Sequence, residues 1–262
     1  MLDVGLLHPL LPVVLALASR LSGLFATGPF FSGRYIPVQV KAALVLCLSL
    51  ALSPAVQAGV PATISPSSPG GLVAMALAES FFGMLAGFVS SLVFVAVQVA
   101  GHVFDSEMGY GMTNVLDPAH GVQVPLMGGF FQLCGLALFL AMDGHHFLLA
   151  GVLHIPAAFP VRTARWDQGI PQWVFDRFCE SFDLGLRLAL PVLVASLLAA
   201  CAMGIVSRAV TQLNILVMGL PIRVLLGLAV LASSIGPMLR ALAGAFSTSR
   251  DWLFALVETL AP

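Results

Sequence analysis

Residues 101–125 read GHVFDSEMGYGMTNVLDPAHGVQVP. This is the long polar, turn-rich interruption in the middle of a very apolar chain. It carries the carboxylates Asp105, Glu107 and Asp117, the histidines His102 and His120, four glycines (Gly101, Gly109, Gly111, Gly121) and two prolines (Pro118, Pro125). Glycine admits backbone angles that other residues avoid, and proline stops a helix from continuing. The pattern predicts a loop between two apolar helices, over residues 72–99 before it and 126–142 after it. Between Lys41 and Arg162 there is no lysine or arginine. Any cation that pairs with these carboxylates is therefore expected from a distant part of the chain or from another chain.

The surroundings set the class. The 262 residues are 59% apolar and 9% charged, against about 25% charged in a soluble domain. So little polar surface cannot cover a globule in water, and the reading is an all-α, multi-helix integral membrane protein. A net charge of −1 leaves no basic footprint for nucleic acid. The cysteines Cys47, Cys134, Cys179 and Cys201 are far apart and fit neither metal spacing nor a disulfide framework; they read as small buried hydrophobes.

Outward from the centre, residues 72–104 form the longest periodic segment. Gly83 and Gly87 make a GxxxG, which predicts close approach of another helix. Ser80, Gly87, Ser91, Gln98, His102 and Asp105 fall in one narrow arc at 100° per residue. That stripe faces either a pore or polar partner, or ordinary interhelical hydrogen bonds. Residues 147–159 are too few to cross a bilayer alone. A helical hairpin is expected over 184–206 and 215–235, with a kink at Pro191 and a break at Gly219-x-Pro221, and a mildly amphipathic tail follows from 236. Arg20 lies within the first apolar run, either near an interface or paired inside an assembly.

Searches for chemistry give little. His145 and His146 are adjacent, so diverging side chains and a simple turn are expected there. Neither a phosphate loop nor a nucleophile elbow is present. Met108, Tyr110 and Met112 bracket the central glycines; flexible methionine fills irregular gaps. They form either a soft seal across an opening or packing of the loop onto its own helices.

Several stretches in order carry a family resemblance. They are RLSGLFATGPFFSGRYIPVQVK (20–41), ESFFGMLAGFVSSLVFVAVQVAG (79–101), GYGMTNVLDP (109–118), FLAMDGHHFLL (139–149) with Phe159-Pro160, and SRAVTQLNILVMGLPIR (207–223). Together they resemble the FliR family of flagellar export-gate proteins, whose injectisome counterpart is SctT. Two departures exist: Thr211 stands where the family usually has proline, and His154-Ile155-Pro156 where it often has a serine. The Asp143-Gly144-His145-His146 stretch looks more like the flagellar branch.

The resemblance implies a non-enzymatic subunit that joins FliP and FliQ in the gate for unfolded export substrates. FlhB wraps the entrance and FlhA lies nearby, in the inner membrane at the flagellar basal body. It implies a FliP-like part over 1–182, a FliQ-like hairpin over 183–235 and a tail over 236–262. It also implies that residues 105–124 plug the closed gate, with Met108, Gly109, Tyr110, Gly111, Met112, Asp117 and Pro118 as plug residues. Ser91, Gln98, His102 and Asp105 would face the lumen or neighbouring subunits. Arg20, Arg208, Asn214 and Arg223 are expected at subunit contacts. Two rival readings are an injectisome subunit and a secondary transporter using Glu79 and Asp105 as a proton pair; the latter predicts internal repeats, and no convincing one is present.

Overall fold

A computed structural model describes residues 4–33, 36–57, 69–110, 125–153, 169–209 and 215–260. These residues form seven helices and, among them, no strand. In chain order they are α1 (Val4–Thr27), α2 (Val38–Gln57), α3 (Pro69–Glu107), α4 (Leu126–Ala141), α5 (Gly144–Leu153), α6 (Gly169–Ala209) and α7 (Ile215–Leu260). Stretches of α3, α6 and α7 are long and apolar enough to cross a membrane. Serines inside such helices return their hydroxyls to the preceding turn, as Ser90 does to Ala86 O at 2.9 Å and Ser91 to Phe88 O at 2.7 Å. That local bond satisfies the hydroxyl without water.

The second half is more continuous than the sequence pattern suggests. The helix α7 runs 46 residues through both Pro221 and Pro237, and α6 runs 41 residues through Pro191. The expected break at Gly219-x-Pro221 is absent, and the tail from 236 continues the same helix. A proline removes one backbone bond of many, and an apolar surrounding offers no water to take up the groups a break would free.

The chain divides into two compact units. One comprises Met1–Leu92, Asp143–Phe175 and Ser247–Pro262; the other comprises Val93–Met142 and Asp176–Phe246. In the first, α1 lies directly on α3. A Cβ on Gly23 would collide with the backbone of Ser80, and one on Gly83 with the carbonyl of Arg20. This is the close approach that the GxxxG predicts. Phe25 and Phe31 stack at 4.1 Å beside it. Arg20 is buried in this unit and donates to Glu79.

In the second unit the core is aromatic. Phe246 lies 5.2 Å from Phe94 and 5.5 Å from Phe139, and all three are almost fully buried. Phe104 stacks on Phe131 at 4.8 Å. Burying side chains of this size stabilises by about 1.5–3 kcal/mol each. Cys47, Cys179 and Cys201, read as buried hydrophobes, are exposed. An apolar residue of a membrane chain has lipid or a partner as alternative surroundings, so apolarity alone does not place it in the core of its own chain.

Candidate functional site

The structural focus of the second unit is the last turn of α3 and the two residues after it. Four of five consecutive positions there are each held by another helix. Asp105 is 6% exposed. Its Oδ1 accepts from the amide of Met127 at 2.8 Å and its Oδ2 from the amide of Gly128 at 2.9 Å. These are orphan donors of the first turn of α4, which begins after Pro125 with no capping side chain of its own. Asp105 thus performs from α3 the service that an N-cap residue normally performs locally. The negative carboxylate also meets the positive end of α4.

The required proximity is built by glycines. A Cβ on Gly101 would lie 2.5 Å from the Cα of Gly128. A larger residue at Gly101 would push the two helices apart and draw the carboxylate away from the amides.

Glu107 Oε2 accepts from Ser196 Oγ of α6 at 2.5 Å. Met108 is 1% exposed and fills the space beside Gly227 of α7. Gly109 has φ 79° and touches the Leu220 side chain. Left-handed geometry at a glycine just past a helix is a common way to end it. Here the amide of Gly109 turns back to Ser106 O at 3.2 Å.

Beside this junction, α3, α4 and α6 line a groove of about 690 Å³. Gln98, His102 and Gln132 provide its polar side, and Val99, Phe182 and Leu186 its apolar side.

A family model for bacterial export proteins, family 1, matches residues 11–249. The chain belongs to this family. Among relatives, the flagellar biosynthetic protein FliR of Bacillus subtilis is 29% identical over 221 residues, covering 82% of this chain and 83% of the relative. The FliR of Aquifex aeolicus is 30% identical over 219 residues and covers 82% of each. Yop proteins translocation protein T of Yersinia pestis is 28% identical over 148 residues, 55% of this chain and 56% of the relative. As a member of the export family the chain is an export component and not an enzyme.

Within this family member, the residues singled out from sequence are dispersed. Gly111, Met112, Asp117, Pro118 and Asn214 lie outside the described residues. Met108, Gly109 and Asp105 come together at the junction, and Tyr110 follows them. Gln98 and His102 are exposed along the groove, and Ser91 is half-buried in the other unit. The polar stripe is therefore not one continuous open face. Gly87 packs against Thr27 and Gly28 of the α1 end, and Asp105 is buried.

Arg208 is exposed and Arg223 half-exposed, and among the described residues neither has an ionic partner. Arg20 differs. Its charge is answered inside the chain, by Glu79 at 2.6 Å and by the carbonyl of Val152 at 3.1 Å. Asp105 likewise takes backbone amides where a cation from elsewhere was expected.

His145 and His146 do not diverge. Their ring centroids are 4.1 Å apart, and His146 Nδ1 lies 3.3 Å from Asp143 Oδ1. Donor atoms of Asp143, His145 and His146 lie within 4.8 Å of one another. Asp143 immediately precedes α5 and the two histidines lie in its first turn, and the positive end of a helix disfavours a bound cation.

Sequence reasoning missed Ser196, Leu220 and Gly227. Two of them carry a readable signal. Ser196 is the one hydroxyl in the apolar run 188–206. Gly227 interrupts a helix-favouring leucine run, which costs about 1 kcal/mol unless close packing requires it.

Proposed function

We propose that this chain is a subunit of the flagellar type III protein export gate in the bacterial inner membrane. It would assemble with FliP and FliQ, beside FlhB and FlhA, around a passage for unfolded flagellar subunits. In this reading the segment between α3 and α4 plugs the closed passage. The observation that carries it is the combination of a family match over residues 11–249 with a central segment whose two ends are fastened side by side by Asp105. A plug needs a fixed base and a tip free to move; loops that gate passage work this way.

The membrane setting is supported by three helices of sufficient length and apolarity. Contacts with other subunits are supported by apolar side chains left exposed on α6 and α7, among them Leu198, Ile205 and Leu225. Arg208 and Arg223, without an ionic partner among the described residues, suit contacts with partner subunits or lipid headgroups, since an unpaired charge in an apolar setting is costly. The flagellar branch is favoured over the injectisome branch by coverage. The FliR relatives align over 82% of this chain and the Yop protein over 55%. A proton-coupled transporter is less well supported, because Glu79 is held by Arg20 and Asp105 by two amides.

The test is deletion of residues 111–122, which leaves the junction intact. The shortened chain should still copurify with two other small helical membrane proteins, and resting cells should leak small solutes. An unchanged permeability barrier with normal assembly would overturn the plug role. Failure of the full-length chain to copurify with such partners would overturn the gate reading.

A further inference from the structure

Of the holds on the end of α3, the one made by Met108 has a different character. Asp105 and Glu107 are fixed by hydrogen bonds. Met108 is fixed by shape alone. A Cβ placed on Gly227 would lie 2.7 Å from the Cε of Met108, 2.8 Å from its Cγ and 3.3 Å from its Sδ. The absent side chain of Gly227 is thus the space that the thioether occupies. The Cγ contact matters most, because Cε can swing aside by rotation about the outer bonds, whereas Cγ moves only if the whole side chain changes its χ1 rotamer.

The neighbouring contact repeats the arrangement. Gly109 lies on Leu220. Leu220 and Gly227 are seven residues apart on α7, so they share one face about two turns apart. A knob and a notch on that face therefore receive two successive residues at the point where the chain leaves α3.

We infer that Met108 is a positioning residue whose seat in the Gly227 notch lets α7 set the resting place of the segment that follows α3. The contact of Met108 with Gly227 is one of shape, so withdrawal of the notch breaks no hydrogen bond at the Met108 side chain. Methionine suits a seat of this kind, being unbranched, polarizable and able to leave and re-enter an irregular gap. Its consequence for export rests on the plug reading given above; the seat itself does not.

The test is a bump-and-hole series in the full-length chain, purified with its copurifying partners and expressed in cells. The variants are G227A, G227V, M108A and the double variant M108A/G227V. Hydrogen exchange over residues 106–110 reads the seat. G227V should raise exchange there about tenfold or more, as local opening becomes cheaper. The double variant should return it to within about twofold of the parent, because the added methyls fill the vacated space and the two changes are coupled. Should G227V fail to assemble, G227A carries the same comparison with a smaller bump.

Leak of small solutes from resting cells reads the plug. Exchange and leak that rise in G227V and recover in the double variant support both proposals. Exchange that rises and recovers with no leak leaves the seat standing and removes the plug reading. Exchange over 106–110 that is the same in the parent, G227V and M108A overturns the seat.

Discussion

The Nε of Arg20 donates to Oε2 of Glu79 at 2.6 Å, with 6% and 2% of the two side chains exposed. Nη1 of the same guanidinium reaches the carbonyl of Val152 at 3.1 Å, and its carbon lies 5.4 Å from the Phe82 ring centre. One side chain of α1 therefore ties α3 and α5 together in the first unit. Such a pair is dear to break and cheap to replace. Loss of one partner strands a buried charge, at about 3–5 kcal/mol, whereas apolar replacement of both is often neutral. R20A and E79A should each strongly reduce the folded, detergent-extractable chain. R20M/E79L should recover much of it. Thermal unfolding in mild detergent checks this, and equal losses in the single and double variants would contradict it.

The α1–α3 contact makes a second prediction. The space missing at Gly83 is taken by backbone, the carbonyl of Arg20, which cannot swing aside. G83A should therefore cost about 1–3 kcal/mol, as overpacking does. At Gly244 a Cβ would meet nothing within 4 Å. Replacing that helical glycine by alanine should leave stability level or raise it by about 0.5–1 kcal/mol. The unfolding curve should fall for G83A and stay level or rise for the alanine variant at Gly244, and a fall in both would count against the packing argument.

What the sequence disclosed and what it hid divide along physical lines. Helix identity was legible, because apolar runs of membrane length are unambiguous in residues 72–104 and 184–206. The GxxxG at Gly83 was legible too, since small residues at that spacing have few other uses. Helix continuity through Pro221 and onward past residue 236 was not, because a proline reads as a breaker unless the surrounding solvent is known. Partners of charged residues were hidden for a different reason. Asp105 takes its donors from a backbone, and amide positions carry no letter in a sequence. The pairing of Met108 with Gly227 joins residues more than a hundred positions apart, and no local periodicity connects them.

Asp105 offers the sharpest local test at the junction. Its two oxygens serve two amides, and Pro125 has no side chain to substitute for them. D105A should expose the amides of Met127 and Gly128 to rapid hydrogen exchange and destabilise the start of α4 by about 1–2 kcal/mol. D105N keeps the shape but turns one acceptor into a donor facing an N–H, so it should protect at most one of the two amides. Amide-resolved exchange distinguishes these outcomes. Full protection of both amides in D105A would remove the capping role.

Ser196 and Glu107 carry the last prediction. The hydroxyl has one proton and two acceptors in reach, Glu107 Oε2 at 2.5 Å and the carbonyl of Leu193 at 3.0 Å. A carboxylate is the stronger acceptor, so the proton belongs on the path to Glu107. In S196A the half-buried carboxylate loses that donor, while the Leu193 carbonyl keeps its place in the helix. The cost should be about 1.5–3 kcal/mol, the range for a hydrogen bond to a charged group. E107Q should lower that cost, because a neutral amide needs the donor less. A double-mutant cycle of S196A with E107Q, read by thermal unfolding, should therefore give a coupling of about 1 kcal/mol or more. Strict additivity would mean that the hydroxyl serves Leu193 and that α6 does not grip the end of α3 through this bond.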